Sequence, residues 1–246
     1  MILTAEDKDF FKKNGYLVKH DTLTDDQIQA GIDEIWKHLE AERDDPSSWL
    51  NAGPIRPKCG DTRPMLDTLY ESPVYGMAEQ LVGEGLLTRP KSFGPKLNFP
   101  TDETEWSASG PHLDGYYTPK NGVPEGTVGR FFVGVTLYLT EQKPEGGGFT
   151  VWPATHLQGA EYFKTHSILK PKGGNVWNLW AHPDPVEIVG PPGTVCFWHG
   201  GLVHSASKNC RPDIRFCLMT RLARHDQDDI LFEFPDNPWE HWPALK

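Results

Sequence analysis

Three residues have the types and spacing to hold a metal: His112, Asp114 and His204. The first two lie in Pro111-His112-Leu113-Asp114-Gly115. The third follows Asp114 by ninety residues, in Phe197-Trp198-His199-Gly200-Gly201-Leu202-Val203-His204. Two imidazoles and one carboxylate are the facial ligand set of non-haem Fe(II) oxygenases, with open positions opposite for other ligands. On a strand, residues i and i+2 share a face. An extended His112-Leu113-Asp114 would therefore offer one nitrogen and one oxygen to the same point.

His199 is the rival for the third position. Odd spacing would send it to the opposite face from His204 on a continuous strand, but Gly200-Gly201 invites a turn between them. Arg215 weighs for His204, which it follows by eleven residues. A hairpin of that length would set its guanidinium beside the distal imidazole, and the planar fork suits a carboxylate. Arg215 lies among Ile214, Phe216, Cys217 and Leu218, so burial is expected, and a buried arginine requires an anion.

Other polar positions take lesser roles. Lys96 and Asn98 alternate with Leu97 and Phe99 ahead of the H-x-D element, and so share a face. They read either as polar contacts to a cosubstrate or as the solvated side of an edge strand. Tyr116 and Tyr117 follow the H-x-D pair directly, and Tyr138 lies on a later strand; all three are candidates to line a substrate mouth. Gly146 to His156 forms a glycine-led strand ending in Pro153-Ala154-Thr155-His156. There His156 reads as turn chemistry that fixes a loop.

In this order, these elements resemble the phytanoyl-CoA dioxygenase family of Fe(II)/2-oxoglutarate oxygenases. The order is H-x-D, a glycine-led strand ending Pro-x-Thr-His, Gly-Thr-Val-x-Phe-x-His ahead of a distal His, and Arg at plus eleven. The resemblance covers roughly residues 90 to 222, and more loosely Phe10 to Val18. It implies iron on His112, Asp114 and His204, 2-oxoglutarate as cosubstrate, dioxygen as co-reactant, and Arg215 on the far carboxylate. The expected activity is hydroxylation or another oxidation of a small organic metabolite, with release of succinate and CO2. Members often carry a small hydroxyl residue two positions after the distal His. Here that position is Ala206, so the neighbouring Ser207 is the hydroxyl expected to assist Arg215. Two other classes stay open on the residues alone: a cupin-type metalloenzyme that does not use 2-oxoglutarate, and a catalytically silent jelly-roll binding module.

Composition limits the partners. The chain has 246 residues, a formal net charge of −10 and nine Trp. The acidic balance argues against nucleic acid and against anionic membranes. Arg56, Lys58 and Arg63 form its densest basic group. No C-x-x-C pair marks a thiolate zinc site, and Cys196 and Cys217 lie in apolar runs as buried thiols. No run is long enough for a membrane span. A leader-like N-terminus is lacking, and a reducing cytoplasmic setting is expected.

Thr4 with Asp7 opens a helix that Gly15 stops, and Tyr16 to His20 is a short strand. Thr24-Asp25-Asp26-Gln27 is a capping box for a second helix, predicted to run to Glu42. Residues 43 to 65 read as a long loop, and Ser72-Pro73 starts a third helix that Gly83 ends. From residue 86 the period becomes two. Strands are predicted within 86–99, at 110–117, 130–140, 149–152, 187–189, 194–198, 202–205 and 214–222. In the 130–140 run Phe131, Val133, Val135, Leu137 and Leu139 share one face. Helices followed by many short strands give an α+β class, with a double-stranded β-helix (jelly-roll, cupin-like) core and the N-terminal helices on one sheet. The expected organisation is a single domain over 1–246: helical to 85, jelly roll from 86 to 222, and a tail from 223 that packs back.

Overall fold

The computed structural model describes residues 1–117, 122–169 and 182–246. Two antiparallel sheets face each other. The larger has the order β1-β6-β3-β8-β2 and the smaller β5-β4-β7. The strands are β1 (Tyr16–Lys19), β2 (Gly94–Asn98), β3 (Val133–Tyr138), β4 (Phe149–Val151), β5 (Val186–Glu187), β6 (Val195–His199), β7 (His204–Ala206) and β8 (Arg215–Leu222). This is the jelly roll expected from the strand pattern.

The helical part covers the outer face of the larger sheet. Helix α1 (Ala5–Asn14) begins at a capping box of Thr4 and Asp7 and ends at Gly15. Helix α2 (Asp25–Trp36) begins at the Thr24 and Gln27 box. It stops at Trp36 rather than Glu42: the His38 and Leu39 N–H groups reach back only three residues, to Ile35 and Trp36, and Trp36 packs on Trp49 and Phe216. The predicted 43–65 loop holds a 3-10 turn at Pro46–Trp49 and leads into α3 (Arg63–Tyr70), a helix missed in the sequence. Helix α4 (Val74–Val82) ends at Gly83. Phe11, Ile35, Leu69, Met77 and Leu81 pack on Val133, Val135, Leu137, Phe197 and Leu218 of the sheet. Trp239, Trp242 and Leu245 return the C-terminal tail to this same core.

The inner face of β3 carries Gly134, Thr136 and Tyr138, as alternation requires. Phe131 departs from the expected parity. It precedes the strand and joins the inter-sheet cluster with Tyr138, Phe149, Cys196, Trp198 and Cys217. A Cβ on Gly134 would lie 2.0 Å from the Trp198 indole, so only glycine lets that ring lie across β3.

Two expectations about the site strands need correction. Residues 110–117 do not form a strand. Pro111 has no N–H to donate, and Gly115 at φ +88° turns the chain against the Gly129 backbone. What remains is two isolated antiparallel bridges, His112 with His204 and Tyr116 with Val128. Nor do His204 and Arg215 lie on one hairpin: β7 pairs with β4 in the smaller sheet, and β8 pairs with β2 and β3 in the larger. The connection crosses between the sheets, and places Arg215 across the chamber from β7. The Pro-x-Thr-His element opens a further unpredicted helix, α5 (Thr155–Phe163).

Candidate metal centre

Three side chains converge at the open edge between the sheets. The His112 N–H donates to the His204 carbonyl at 3.0 Å and the His204 N–H to the His112 carbonyl at 3.1 Å, which sets the two imidazoles side by side. Their ring centroids are 4.7 Å apart. Each ring has its proton fixed. His112 Nδ1 lies 2.9 Å from the Gly110 carbonyl and His204 Nδ1 lies 2.9 Å from the Leu202 carbonyl. A carbonyl only accepts, so each Nδ1 carries the hydrogen and each Nε2 presents its lone pair.

The Asp114 carboxylate completes the set. Its Oδ1 is 3.7 Å from His112 Nε2 and its Oδ2 is 3.3 Å from His204 Nε2. One potential ligand atom from each residue lies within 4.8 Å of the others. Two ligands at right angles on bonds of about 2.1 Å would stand about 3 Å apart, so a small inward adjustment suffices. Burial works against ionising Asp114, but the neighbouring cations, His204 when it is protonated and Arg221 in any case, outweigh it and hold the carboxyl well below the usual carboxylate range. Burial, followed by the neighbouring His204, holds the His112 imidazole below its ordinary value. An ionised carboxylate and neutral imidazoles are the forms that bind a metal.

Two structures brace the distal histidine. The Val203 N–H donates to Thr155 Oγ1 at 3.0 Å, and the Trp152 N–H to the Val203 carbonyl at 3.0 Å. The Pro-x-Thr-His element therefore locks the strand that carries His204. The Trp198 ring backs the imidazole at 4.2 Å. His156 takes no part: its Nε2 donates to the Lys12 carbonyl at 3.0 Å, tying α5 to α1. His199 stacks on Trp242 at 4.9 Å and pairs with His156, away from the triad.

A buried guanidinium on β8 reaches toward the smaller sheet. Arg215 is 7% exposed. Its Nη1 donates to the Gly147 carbonyl, while its Nε is buried with no partner. No carboxylate pairs with it among the described residues. A buried cation in this state is an anion site awaiting its anion. The hard donors of the triad and the orphaned guanidinium fit an iron ion and a dicarboxylate.

A model of the phytanoyl-CoA dioxygenase family matches residues 11–217. The chain belongs to that family. Solved structures of the same fold include the α-ketoglutarate-dependent carbocyclase SnoK of nogalamycin biosynthesis, at 18% identity and TM-score 0.57, covering 89% of this chain and 83% of that one. The epimerase SnoN, in complex with Fe3+, α-ketoglutarate and nogalamycin RO, matches at 19% identity and TM-score 0.58, over 89% and 82% of the two chains. HygX from Streptomyces hygroscopicus, with nickel, 2-oxoglutarate and hygromycin B bound, matches at 15% identity and TM-score 0.58, over 91% and 88%. No curated protein sequence matches the chain.

Within this phytanoyl-CoA dioxygenase fold, several expected site residues are otherwise engaged. Ser207 is committed to the smaller sheet: its hydroxyl bonds the Gly148 carbonyl at 3.1 Å and Glu187 Oε1 at 3.0 Å. Ala206, two along from His204, is exposed and offers no hydroxyl. Asn98 sits opposite Arg215 in register. Its amide nitrogen donates to the Gly147 carbonyl at 3.1 Å and the Ser207 carbonyl at 2.9 Å. The amide atom left over is an acceptor, which a carboxylate repels, so Asn98 holds the chamber wall rather than a cosubstrate. Tyr138 is no mouth residue. It is buried between the sheets, donating to the Ile188 carbonyl at 3.0 Å and accepting from the Phe149 N–H at 2.9 Å. Tyr116 is buried too, stacked on Phe163 at 5.5 Å. Tyr117 is half-buried. Lys96 faces the chamber from β2, opposite Cys217.

Arg221 was missed in the sequence. Its Nε and Nη2 lie 2.7 and 2.6 Å from Asp114 Oδ2. One signal for it existed: Arg221 is six residues past Arg215 on the same strand, and even spacing gives the same face.

Proposed function

We propose that this chain is an Fe(II)- and 2-oxoglutarate-dependent oxygenase that oxidises a small organic molecule, by hydroxylation or a related outcome. One juxtaposition carries the reading. Three metal-ligating atoms converge beside β7, and Arg215 of β8 is buried with its Nε unpartnered and no ion pair among the described residues. Iron and 2-oxoglutarate, when bound, supply the oxidative decarboxylation that activates dioxygen and yields succinate and CO2.

The protein's own residues bind and orient. His112 Nε2, His204 Nε2 and one Asp114 oxygen would hold the metal and leave the opposite positions open. Arg215 would take the far carboxylate of 2-oxoglutarate with charge-assisted hydrogen bonds from its unpartnered edge. The Ala206 methyl leaves room on the His204 side of β7 for the cosubstrate chain. Trp198, Phe149 and Phe131 keep water from the chamber floor. Tyr117, beside the turn that carries Asp114, is the tyrosine left to contact substrate. Lys96 lies toward the metal end and is left to a different ligand.

SnoK is a carbocyclase and SnoN an epimerase, so ring closure and epimerisation belong to the range of outcomes considered beside hydroxylation. The test is the conversion of 2-oxoglutarate by purified protein. Release of CO2 and succinate that requires added Fe(II) and is abolished in Asp114→Ala supports the reading. Iron binding with no consumption of 2-oxoglutarate, across a broad metabolite screen, would overturn it in favour of another metalloenzyme.

A further inference from the structure

We infer that the substrate carries an anionic group, a carboxylate or phosphate, received at the chamber mouth by Arg56 with Lys96 behind it. The inference rests on the oxygenase reading above and names the substrate class of that same site.

The geometry comes from the long N-terminal loop. Ile55 forms an antiparallel bridge with Leu97, the Leu97 N–H donating to the Ile55 carbonyl at 3.0 Å. The loop thus adds one extended step to the free edge of β2. In an antiparallel pair, opposed residues share a face. With Ile55 opposite Leu97, Arg56 stands opposite Lys96. Leu97 packs into the outer core, so Lys96 and Arg56 lie on the chamber side. Arg221 shares that side of the larger sheet, on the strand beside β2.

Three cations therefore border one opening, with little to balance them. Several surface cations elsewhere in this acidic chain are paired: Lys19 with Asp7, Arg43 with Asp33, Lys208 with Glu103, Arg211 with Glu145. Among the described residues, neither Arg56 nor Lys96 has an ion-pair partner. Arg221 has Asp114, a carboxylate that the metal also claims. Lys96 is half-buried, and burial first, then Arg56 and Arg221, push its ammonium below the usual range. Like charges held together at a partly buried site are unfavourable unless an anion joins them.

The cosubstrate does not use up this charge. In the proposed pose its two carboxylates go to the metal and to Arg215, which sits at the far end of β8. What remains at the mouth is a net positive rim in a chain of formal charge −10. Such a rim selects and steers an anionic ligand. Phe131, over which Arg221 lies at 5.7 Å, offers an apolar wall for the ligand's body.

The test uses Ni(II)- and 2-oxoglutarate-loaded full-length protein, which cannot turn over, with phenyl phosphate, phenylacetate and neutral phenylacetamide as calorimetric probes. At least one anion should bind about tenfold or more tighter than the amide. The preference should weaken with added salt and fall about tenfold in Arg56→Gln, with Arg56→Lys restoring part of it. Which anion binds tells carboxylate from phosphate. Affinity for 2-oxoglutarate should be unchanged in Arg56→Gln, which also verifies its folding. The inference is overturned if neither anion binds, if the amide binds as well, if Arg56→Gln keeps the preference, or if the anions compete with 2-oxoglutarate. Failure of the nickel protein to bind 2-oxoglutarate is a separate result: it removes the oxygenase reading, and this inference with it.

Discussion

Arg221 grips Asp114 Oδ2 with two nitrogens, at 2.7 and 2.6 Å, while the same oxygen lies 3.3 Å from His204 Nε2. The guanidinium thereby fixes the carboxylate's orientation from across the chamber. Partners of this kind around a ligand typically change metal affinity about 10- to 100-fold. Arg221→Ala should weaken iron binding by that order, measured by competition with a chelator. Arg221→Lys should recover part of it, since an ammonium keeps the charge but not the fork. Unchanged iron affinity in Arg221→Ala would show that Asp114 is held by the turn alone.

Arg215 should control the cosubstrate and not the metal. Removing a buried charged partner costs on the order of 2–5 kcal/mol, roughly 30-fold or more in affinity. Arg215→Met, which keeps volume, should raise the dissociation constant for 2-oxoglutarate by that factor and leave iron content intact. An unchanged constant would assign the far carboxylate to another cation, with Lys96 the first to test.

Much of this site could be read in the chain, and the rest could not for identifiable reasons. The His112-Leu113-Asp114 element, both helix N-caps and the period-two run through Val133, Val135 and Leu137 rest on spacing within a segment, whereas His204 and Arg215 were legible only through the order of motifs along the chain. Helix α3 was hidden because Pro64 and its neighbours carry loop composition, although proline in a first turn is also a helix start. Helix α5 was hidden inside a motif whose proline and glycine read as a turn. The commitments of Ser207, Asn98 and Tyr138 were out of reach. Their bonds to Gly148, Gly147 and Ile188 form only where the two sheets meet, and parity gives a face but no partner. Arg221 and Asp114 are 107 residues apart and meet for the same reason.

His156 should make the protein acid-sensitive without touching the metal. Burial, opposed by its bond to the Lys12 carbonyl, lowers its pKa from 6.5 to about 4. As pH falls below 6.5, the unfolded chain takes up a proton that the folded chain refuses until about pH 4. The unfolded state binds more protons across that window, so stability is full above it and falls on acidification. The loss reaches about 3 kcal/mol at most from this residue. His156→Gln should flatten denaturation midpoints against pH in this window while retaining iron. A slope equal to wild type would place the acid sensitivity elsewhere.

Asp114 should also exclude halide. Its carboxylate takes the position that a chloride ion would need. Chloride should therefore leave the spectrum of the anaerobic Fe(II) and 2-oxoglutarate complex unchanged, whereas Asp114→Gly, if it retains iron, should respond to chloride. A chloride-dependent change in the unmutated protein would contradict Asp114 as a ligand.

The most direct measurement is anaerobic titration of the iron-loaded protein with 2-oxoglutarate, followed by visible absorption. Chelation of Fe(II) by the 2-oxo group and its adjacent carboxylate predicts a charge-transfer band that saturates at one equivalent. The band should vanish in His204→Ala and require far more 2-oxoglutarate in Arg215→Met. A wild-type protein that binds iron at His112, Asp114 and His204 yet shows no band at saturating 2-oxoglutarate would contradict the proposed function.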